Sequence, residues 1–273
     1  MEVESQGQME RVLGAQKSQE LLTVLKLLDW DSNMVNLNRC EFGLSNDNYQ
    51  VSTTGKDPLF LKVFGPLTGN INLDELHLQK CNFGPEILGQ FDWGRLEVWV
   101  AGRPMGRQDC ENFDVLRAFA AELAFMHKTT LRNHNDLNFT NILIGANKKI
   151  EINFLDFEYV GKLDPAYDIA NFFCEWMYDC GSPLWFEPDV SKFPSQDQMR
   201  FFVEQYLQAF NPNEVGLNSL LKDVENRIPK VHNYWINWAK NGFPGQVDYE
   251  KYGLNRQKLL NVDSNTKLFD QID

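Results

Sequence analysis

Three patterns of apolar and polar positions follow one another along the chain. Residues 17–30, KSQELLTVLKLLDW, place Leu21, Leu22, Leu25 and Leu28 on one face at helical spacing, which predicts an amphipathic packing helix. The polar residues before it, 1 to about 17, are expected to form a loosely ordered tail. From Leu37 to Val100 the apolar residues come in short runs between turn residues, which predicts strands. EFGLSNDNYQV (41–51) reads as two strand-like pieces around Gly43, Leu44, Ser45 and Asn46. LFLKVF (59–64) is an apolar strand with one lysine, Lys62, inside it, and residues 84–100 are two strands joined by an Asp-Trp-Gly turn. A short helical segment, LDELHLQKC, falls between them. Beyond Asn112 helical periodicity dominates. Leu116, Phe119, Ala120, Leu123 and Met126 share a face over 112–128, and Ser195-Gln-Asp-Gln198 is a capping box ahead of Met199, Phe202, Val203, Tyr206 and Phe210. Helices near 214–226 and 228–240 follow, with Trp235 and Trp238 on one face of the second. One hairpin interrupts the helices: Ile142–Ile144, a Gly-Ala-Asn-Lys turn, then Lys149–Leu155 with Ile150, Ile152 and Phe154 on one side. The whole predicts an α+β chain. A β-rich N-terminal lobe spans 18–101 and a larger helical lobe spans 102–273, with AGRPMG (101–106) as the crossing between them.

Composition narrows the function classes. A chain of 273 residues with 43% hydrophobic content can bury a sizeable core. Its net charge of −12 and pI near 4.8 argue against nucleic acid, which requires a basic face, and suit a cationic small molecule. Five cysteines without a CxxC pair read as reduced thiols of a cytoplasmic protein. The acidic start MEVESQGQMERVLG lacks an apolar signal core, and no run is long enough for a membrane span.

The stretch from His134 to Tyr178 carries the chemistry. It opens with His-Asn-Asp, places Asn141 five residues after Asp136, and returns with a strand ending in Asp156-Phe-Glu. Phosphoryl transfer needs an aspartate to orient a hydroxyl nucleophile, and an asparagine and a second aspartate to hold magnesium. Asp136, Asn141 and Asp156 are the candidates. Lys62 is the candidate phosphate-gripping lysine with Glu75 as its partner, and the Gly43–Asn46 turn could lay backbone N–H groups over phosphates. Residues 97–103 are where an adenine could sit. His127 reads as a charge partner at a helix C-terminus. Asp168 reads as an N-cap whose acidic group also suits bracing the catalytic loop.

Several motifs resemble the choline/ethanolamine kinase family from about Phe42 to Gln257: GLSNDNYQV, GPEILGQFDWGRLEVWVAGRP, HNDLNFTNIL, LDFEYVG, DIANFFCEWMYD, and HNYWINWAK with DYEKYGLNR. The resemblance implies a protein-kinase-like two-lobed fold that uses ATP and magnesium. It implies that Asp136 is the catalytic base or hydroxyl-orienting residue, and that Asn141 and Asp156 bind the metal. Asn138 stands where the choline branch often has glutamine, and Glu175, Trp235, Trp238 and Tyr252 would line a choline pocket. A trimethylammonium donates no conventional hydrogen bond, so aromatic faces, worth about 0.5–2 kcal/mol each, suit it. The sequence departs from the family in four places, one of them a short helix around Glu75. Lys128–Asn133 replaces several tens of largely helical residues, Cys180 stands in place of an aromatic, and Pro165 and Phe172 replace an arginine and a histidine. The expected function is ATP-dependent phosphorylation of choline, with ethanolamine as a further substrate and the cytoplasm as the compartment. Two alternatives stand beside it: a weak or inactive isoform acting by binding or by pairing with its own kind or with relatives, and a phosphotransferase for another small amine or amino sugar.

Overall fold

A computed structural model describes residues 2–31, 34–40, 46–65, 73–145, 149–211 and 216–265. By its contacts the chain separates into two units, Met1–Ile71 with Pro85–Ala101, and Asn72–Gly84 with Gly102–Asp273.

The first unit is built on strict alternation. Helices α1 (Glu2–Leu13) and α2 (Ala15–Leu27) accompany an antiparallel sheet of β1 (Asn36–Arg39), β2 (Asp47–Ser52), β3 (Leu59–Val63), β4 (Ile87–Phe91) and β5 (Gly94–Val98), in the order β1-β2-β3-β5-β4. Leu37, Val51, Leu59, Leu61 and Leu96 fall on one face and share a core with Leu21, Leu22 and Leu25 of α2. Lys62 points to the other face, in a cross-strand row with Asn48 and Arg95, and Arg95 forms an ion pair with Glu97. Gly94 is required where β5 begins, because a Cβ there would lie 2.4 Å from the Lys62 carbonyl oxygen. The expected disordered tail is corrected: most of it is α1 and the start of α2. Met9 is fully buried in this core and Gln8 Nε2 donates to Leu37 O at 3.1 Å. One apolar anchor among polar residues leaves too weak a periodic signal to read from sequence.

The second unit contains α3 (Leu73–Lys80), β6 (Arg103–Pro104), α4 (Phe113–Thr130), β7 (Arg132–Asn133), β8 (Ile142–Ile144), β9 (Ile152–Phe154), β10 (Gly161–Lys162), α5 (Pro165–Glu175), α6 (Gln196–Phe210), α7 (Leu217–Gly242) and α8 (Val247–Asn265). Helix α3, expected with the N-terminal lobe, is held here by Arg132 Nε to Asp74 at 2.7 Å and by His77 Nε2 to Thr130 O at 2.9 Å. Phe119 of α4 centres the core against Phe154, Phe172 and Phe202. Leu131 alone joins α4 to β7 and adopts a left-handed backbone at φ 54°. The two helices expected near 214–226 and 228–240 are one, α7, with Pro229 inside it. Burial of Val224, Ile228, Val231, His232, Trp235 and Ala239 along one face outweighs the backbone hydrogen bond that the proline cannot make. Among the described residues no helix is long and apolar enough to cross a membrane, and no two cysteines form a disulfide.

The capping box of α6 forms as expected: Ser195 Oγ accepts from Gln198 N at 3.3 Å and Gln198 Oε1 from Ser195 N at 2.9 Å. Ser195→Ala should therefore cost about 1 kcal/mol, read as a lower urea midpoint at unchanged slope.

Candidate active site

The loop from His134 to Asn141 is fixed by one buried carboxylate. Asp168 lies in the first turn of α5, where Oδ2 accepts from His134 N at 2.7 Å and from His127 Nε2 at 2.9 Å, and Oδ1 accepts from Asn135 N at 2.7 Å. The bracing role expected for Asp168 is present, but its N-cap assignment is corrected. Asp164 holds the N-cap position, with Pro165 at the helix start, and the Asp164 carboxylate pairs with Arg227 Nε at 2.7 Å. His127, expected as a charge partner at a helix C-terminus, lies in the last turn of α4 and faces the Asp168 carboxylate. It is fully buried and bonds Tyr206 Oη through Nδ1 at 2.9 Å, so it links α4, α5 and α6. His134 Nε2 donates to Leu155 O at 2.8 Å while its Nδ1 accepts from Asp136 N at 3.3 Å. Burial holds its pKa below the usual histidine value. One imidazole thus couples the Asp136 loop to the backbone immediately before Asp156.

Asp136 receives two amides. Asn138 Nδ2 donates to Oδ1 at 3.0 Å and Asn141 Nδ2 to Oδ2 at 2.8 Å. Its pKa is raised well above the ordinary carboxylate value, first by burial and then by the charges of Asp156 and Glu175. Asn138 also caps the Phe139–Asn141 turn, its Oδ1 accepting from Thr140 N at 2.9 Å, so both ends of its amide are engaged in shaping the loop. Asn141 Nδ2 further donates to Asp136 O at 2.9 Å, which leaves its amide oxygen as the atom able to meet a cation. Asp156 follows β9 in a left-handed conformation at φ 63°. The amide oxygen of Asn141 and the carboxylate of Asp156 are hard oxygen donors of the kind magnesium takes alongside phosphate and water oxygens. Among the described residues no group of three or more His, Cys, Asp or Glu side chains is arranged to hold a metal.

An aromatic cluster lies within electrostatic reach of Asp136: burial first, and then nearby carboxylates including Asp136, raise the pKa values of Tyr159, Tyr234 and Cys180. Trp235 Nε1 donates to Asn171 Oδ1 and Trp238 Nε1 to Tyr159 Oη, both at 2.8 Å, and the two indoles stand 5.4 Å apart. Tyr252 is buried with its ring 6.4 Å from Trp238 and 5.4 Å from Tyr178. Glu175 is not left to face a ligand cation alone. It forms an ion pair with Arg256, whose guanidinium lies 4.5 Å over Tyr178 and 4.7 Å over Tyr252 and bonds His232 Nδ1 at 3.3 Å. His232 in turn reaches Cys174 Sγ through Nε2 at 3.8 Å. Sequence reasoning missed Arg256, His232 and Tyr159. Arg256 lies one helical turn after Tyr252 and His232 three residues before Trp235, so both spacings carried the signal.

Burial, and then the Arg256 charge, lower the His232 pKa to about 3. A histidine depressed in the fold contributes stability above its unfolded pKa, and that contribution fades as pH falls toward the folded value. From an unfolded pKa of about 6.5, the protein should lose about 2 kcal/mol on this account by about pH 5. His232→Gln should flatten the drop in Tm between pH 7.5 and 5.

Of the nucleotide-binding candidates, Gly43, Leu44 and Ser45 lie outside the described residues. Asn46 Oδ1 accepts from Gly65 N at 3.0 Å, Lys62 sits in the central strand of the first unit, and Glu75 is on α3 of the second.

A sequence model described as Choline/ethanolamine kinase matches residues 131–261, which contain Asp136, Asn141, Asp156, Glu175, both tryptophans and Arg256. Probable choline kinase 1 of Arabidopsis thaliana is 24% identical over 318 residues, covering 88% of this chain and 92% of that protein. Over residues 131–261 the chain matches the choline/ethanolamine kinase family. Probable choline kinase 2 of the same plant is 28% identical over 245 residues, covering 77% of this chain and 68% of its own length. A choline kinase structure from Cryptosporidium parvum superposes with a TM-score of 0.74 at 16% identity over 93% of this chain and 97% of that one. An ethanolamine kinase from Plasmodium vivax gives 0.75 at 17%, over 93% and 91%. The fold is therefore kinase-like, with an N-terminal antiparallel sheet and a helical C-terminal part. The 318-residue alignment is longer than the 273-residue chain, so this chain lacks segments that its relative carries.

Proposed function

We propose that the protein transfers the γ-phosphoryl group of ATP to the hydroxyl of choline, giving phosphocholine and ADP, with ethanolamine as a second acceptor. The observation that carries this reading is Asp136. It is held by two amides, its pKa is raised, and it stands within electrostatic reach of Tyr159, to which the Trp238 indole is tied. Asp136 orients the substrate hydroxyl and accepts its proton as the oxygen–phosphorus bond forms and the β–γ bridging bond breaks. Asn141 Oδ1 and the Asp156 carboxylate hold magnesium, which when bound neutralises phosphate oxygens. Lys62, Glu75 and residues 43–46 are the candidates for contacting the nucleotide. Trp235, Trp238, Tyr159 and Tyr252 offer aromatic surface to the trimethylammonium. The Glu175–Arg256 pair contributes little net charge, which favours a cation recognised by ring faces over one needing a free carboxylate.

ADP release measured with choline, ethanolamine and an amino sugar, each with ATP and magnesium, tests this reading. Choline should give the highest kcat/KM and the amino sugar none. Preference for the amino sugar would replace the reading with the third alternative. The direct α4–β7 junction and the relative's longer alignment favour a second reading, a weakly active member that binds substrates or pairs with relatives. Choline stabilising the protein without turnover is its signature.

A further inference from the structure

The loop between α5 and α6 carries no regular secondary structure around residues 179–189, yet it is pinned from several sides. Met177 O accepts from Asp189 N at 2.8 Å and from Arg107 Nη2 at 2.9 Å, closing the loop on itself and on the start of the second unit. Asn255 Nδ2 donates to Phe186 O at 3.0 Å, and Lys251 Nζ lies 4.7 Å over the Phe186 ring, so α8 grips the buried Phe186 from the other side. Within the loop Trp185 N donates to Ser182 O at 3.1 Å, and Leu184 N to Ser182 Oγ at 3.1 Å.

These bonds hold one large side chain in a defined place. The Trp185 ring is 5.1 Å from Tyr249 and 5.4 Å from Tyr252. Trp238 contacts the same two tyrosines, at 5.6 and 6.4 Å. Both tyrosines are buried whereas both indoles are only half-buried, so the indoles present the accessible aromatic surface of this group. Arg256 already lies over Tyr252, which removes part of that ring from use by a ligand cation. Trp235, 5.4 Å from Trp238, is buried, so Trp185 and Trp238 are the half-buried indoles that flank this tyrosine pair.

We propose that Trp185 is a wall of the amine pocket and sets its preference for a methylated ammonium over a primary one. The proposal rests on the amine-kinase reading above. A quaternary ammonium makes its contacts through methyl groups against ring faces, whereas a primary ammonium also satisfies itself by hydrogen bonds to carboxylates and water. Removing one indole should consequently weaken choline more than ethanolamine.

The test compares wild type, Trp185→Leu and Trp185→Phe, each with ATP and magnesium, for choline and for ethanolamine, with choline affinity measured separately by calorimetric titration. Trp185→Leu should raise the choline KM and dissociation constant about tenfold, raise the ethanolamine KM less than twofold, and leave kcat within about threefold. Trp185→Phe, which keeps a ring face, should recover most of the choline affinity. A Trp185→Leu protein with wild-type Tm and unchanged choline KM overturns the proposal, as does an equal rise for both amines, which would mark a merely structural role. If Trp185→Leu unfolds, Trp185→Gln, a large side chain without a ring face, decides by the ratio of the two KM values: a shift toward ethanolamine supports the proposal and an unchanged ratio overturns it. Wild type that neither binds nor phosphorylates choline removes the amine-kinase reading and this proposal with it, an outcome distinct from failure of Trp185 alone.

Discussion

Asp136→Asn should lower kcat by about a thousandfold while leaving the protein at least as heat-stable as wild type. The two effects have opposite signs because they arise from the same charge. In the proposed reaction the carboxylate takes the hydroxyl proton, yet in the fold it is buried and close to Asp156 and Glu175, which is why its pKa is raised. A carboxyl whose folded pKa exceeds its unfolded value favours the fold only when protonated. That contribution is complete below the unfolded pKa and lost as pH rises through the folded one, so at neutral pH the ionised group costs stability. Asparagine has the same shape, removes the charge, and its amide oxygen can still accept from Asn138 or Asn141. Calorimetry and steady-state rates on the same preparations read both effects. Near-normal turnover, or a Tm lowered by more than a few degrees, would contradict the role assigned to Asp136.

Arg256→Met should produce the largest loss of stability. The arginine is fully buried, and removing it strands the Glu175 carboxylate inside the protein and deprives Tyr178 and Tyr252 of the cation between them. Breaking one side of such a pair costs about 3–5 kcal/mol, or a Tm lower by roughly 10 °C for a chain of this size. The double variant Glu175→Leu/Arg256→Met should recover much of that loss, because no unpaired charge then remains. A double-mutant cycle in urea separates the coupling from simple loss of packing. Additive effects of the two changes would show that the pair is not the stabilising unit described above. The choline KM of the double variant is informative as well, since Tyr252 loses its guanidinium neighbour but keeps its ring.

What the sequence made legible follows from how local each signal is. Trp235 and Trp238, the capping box at Ser195 and the alternating strands around Lys62 were readable because their partners lie within one helical turn or across a short hairpin. Asp136, Asn141 and Asp156 were readable as an ordered set, and Asp136 and Asn141 are hydrogen-bonded to each other in the fold. Asp168 was placed as a brace but misassigned as a cap, because the helix starts at the proline three residues earlier, and only the tertiary structure aims its carboxylate at two backbone amides of another segment. The Glu175–Arg256 pair joins residues 81 apart, so nothing in a single sequence announces it, and it changes the meaning of Glu175. Helix α1 escaped detection because, among its described side chains, Met9 is the fully buried one and Leu13 packs only partly buried beside it. A break was expected near residue 227, and the long buried face of α7 carries one helix through it and through Pro229.

The central claim is that this chain, with α4 joined to β7 by a single residue, still carries out phosphoryl transfer to choline. Phosphorus NMR of purified protein with ATP, magnesium and choline measures that directly. Wild type should build up a phosphocholine resonance together with ADP, only when all three components are present, and Asp136→Asn should not. Absence of phosphocholine from wild type, or equal formation by the two proteins, would contradict it.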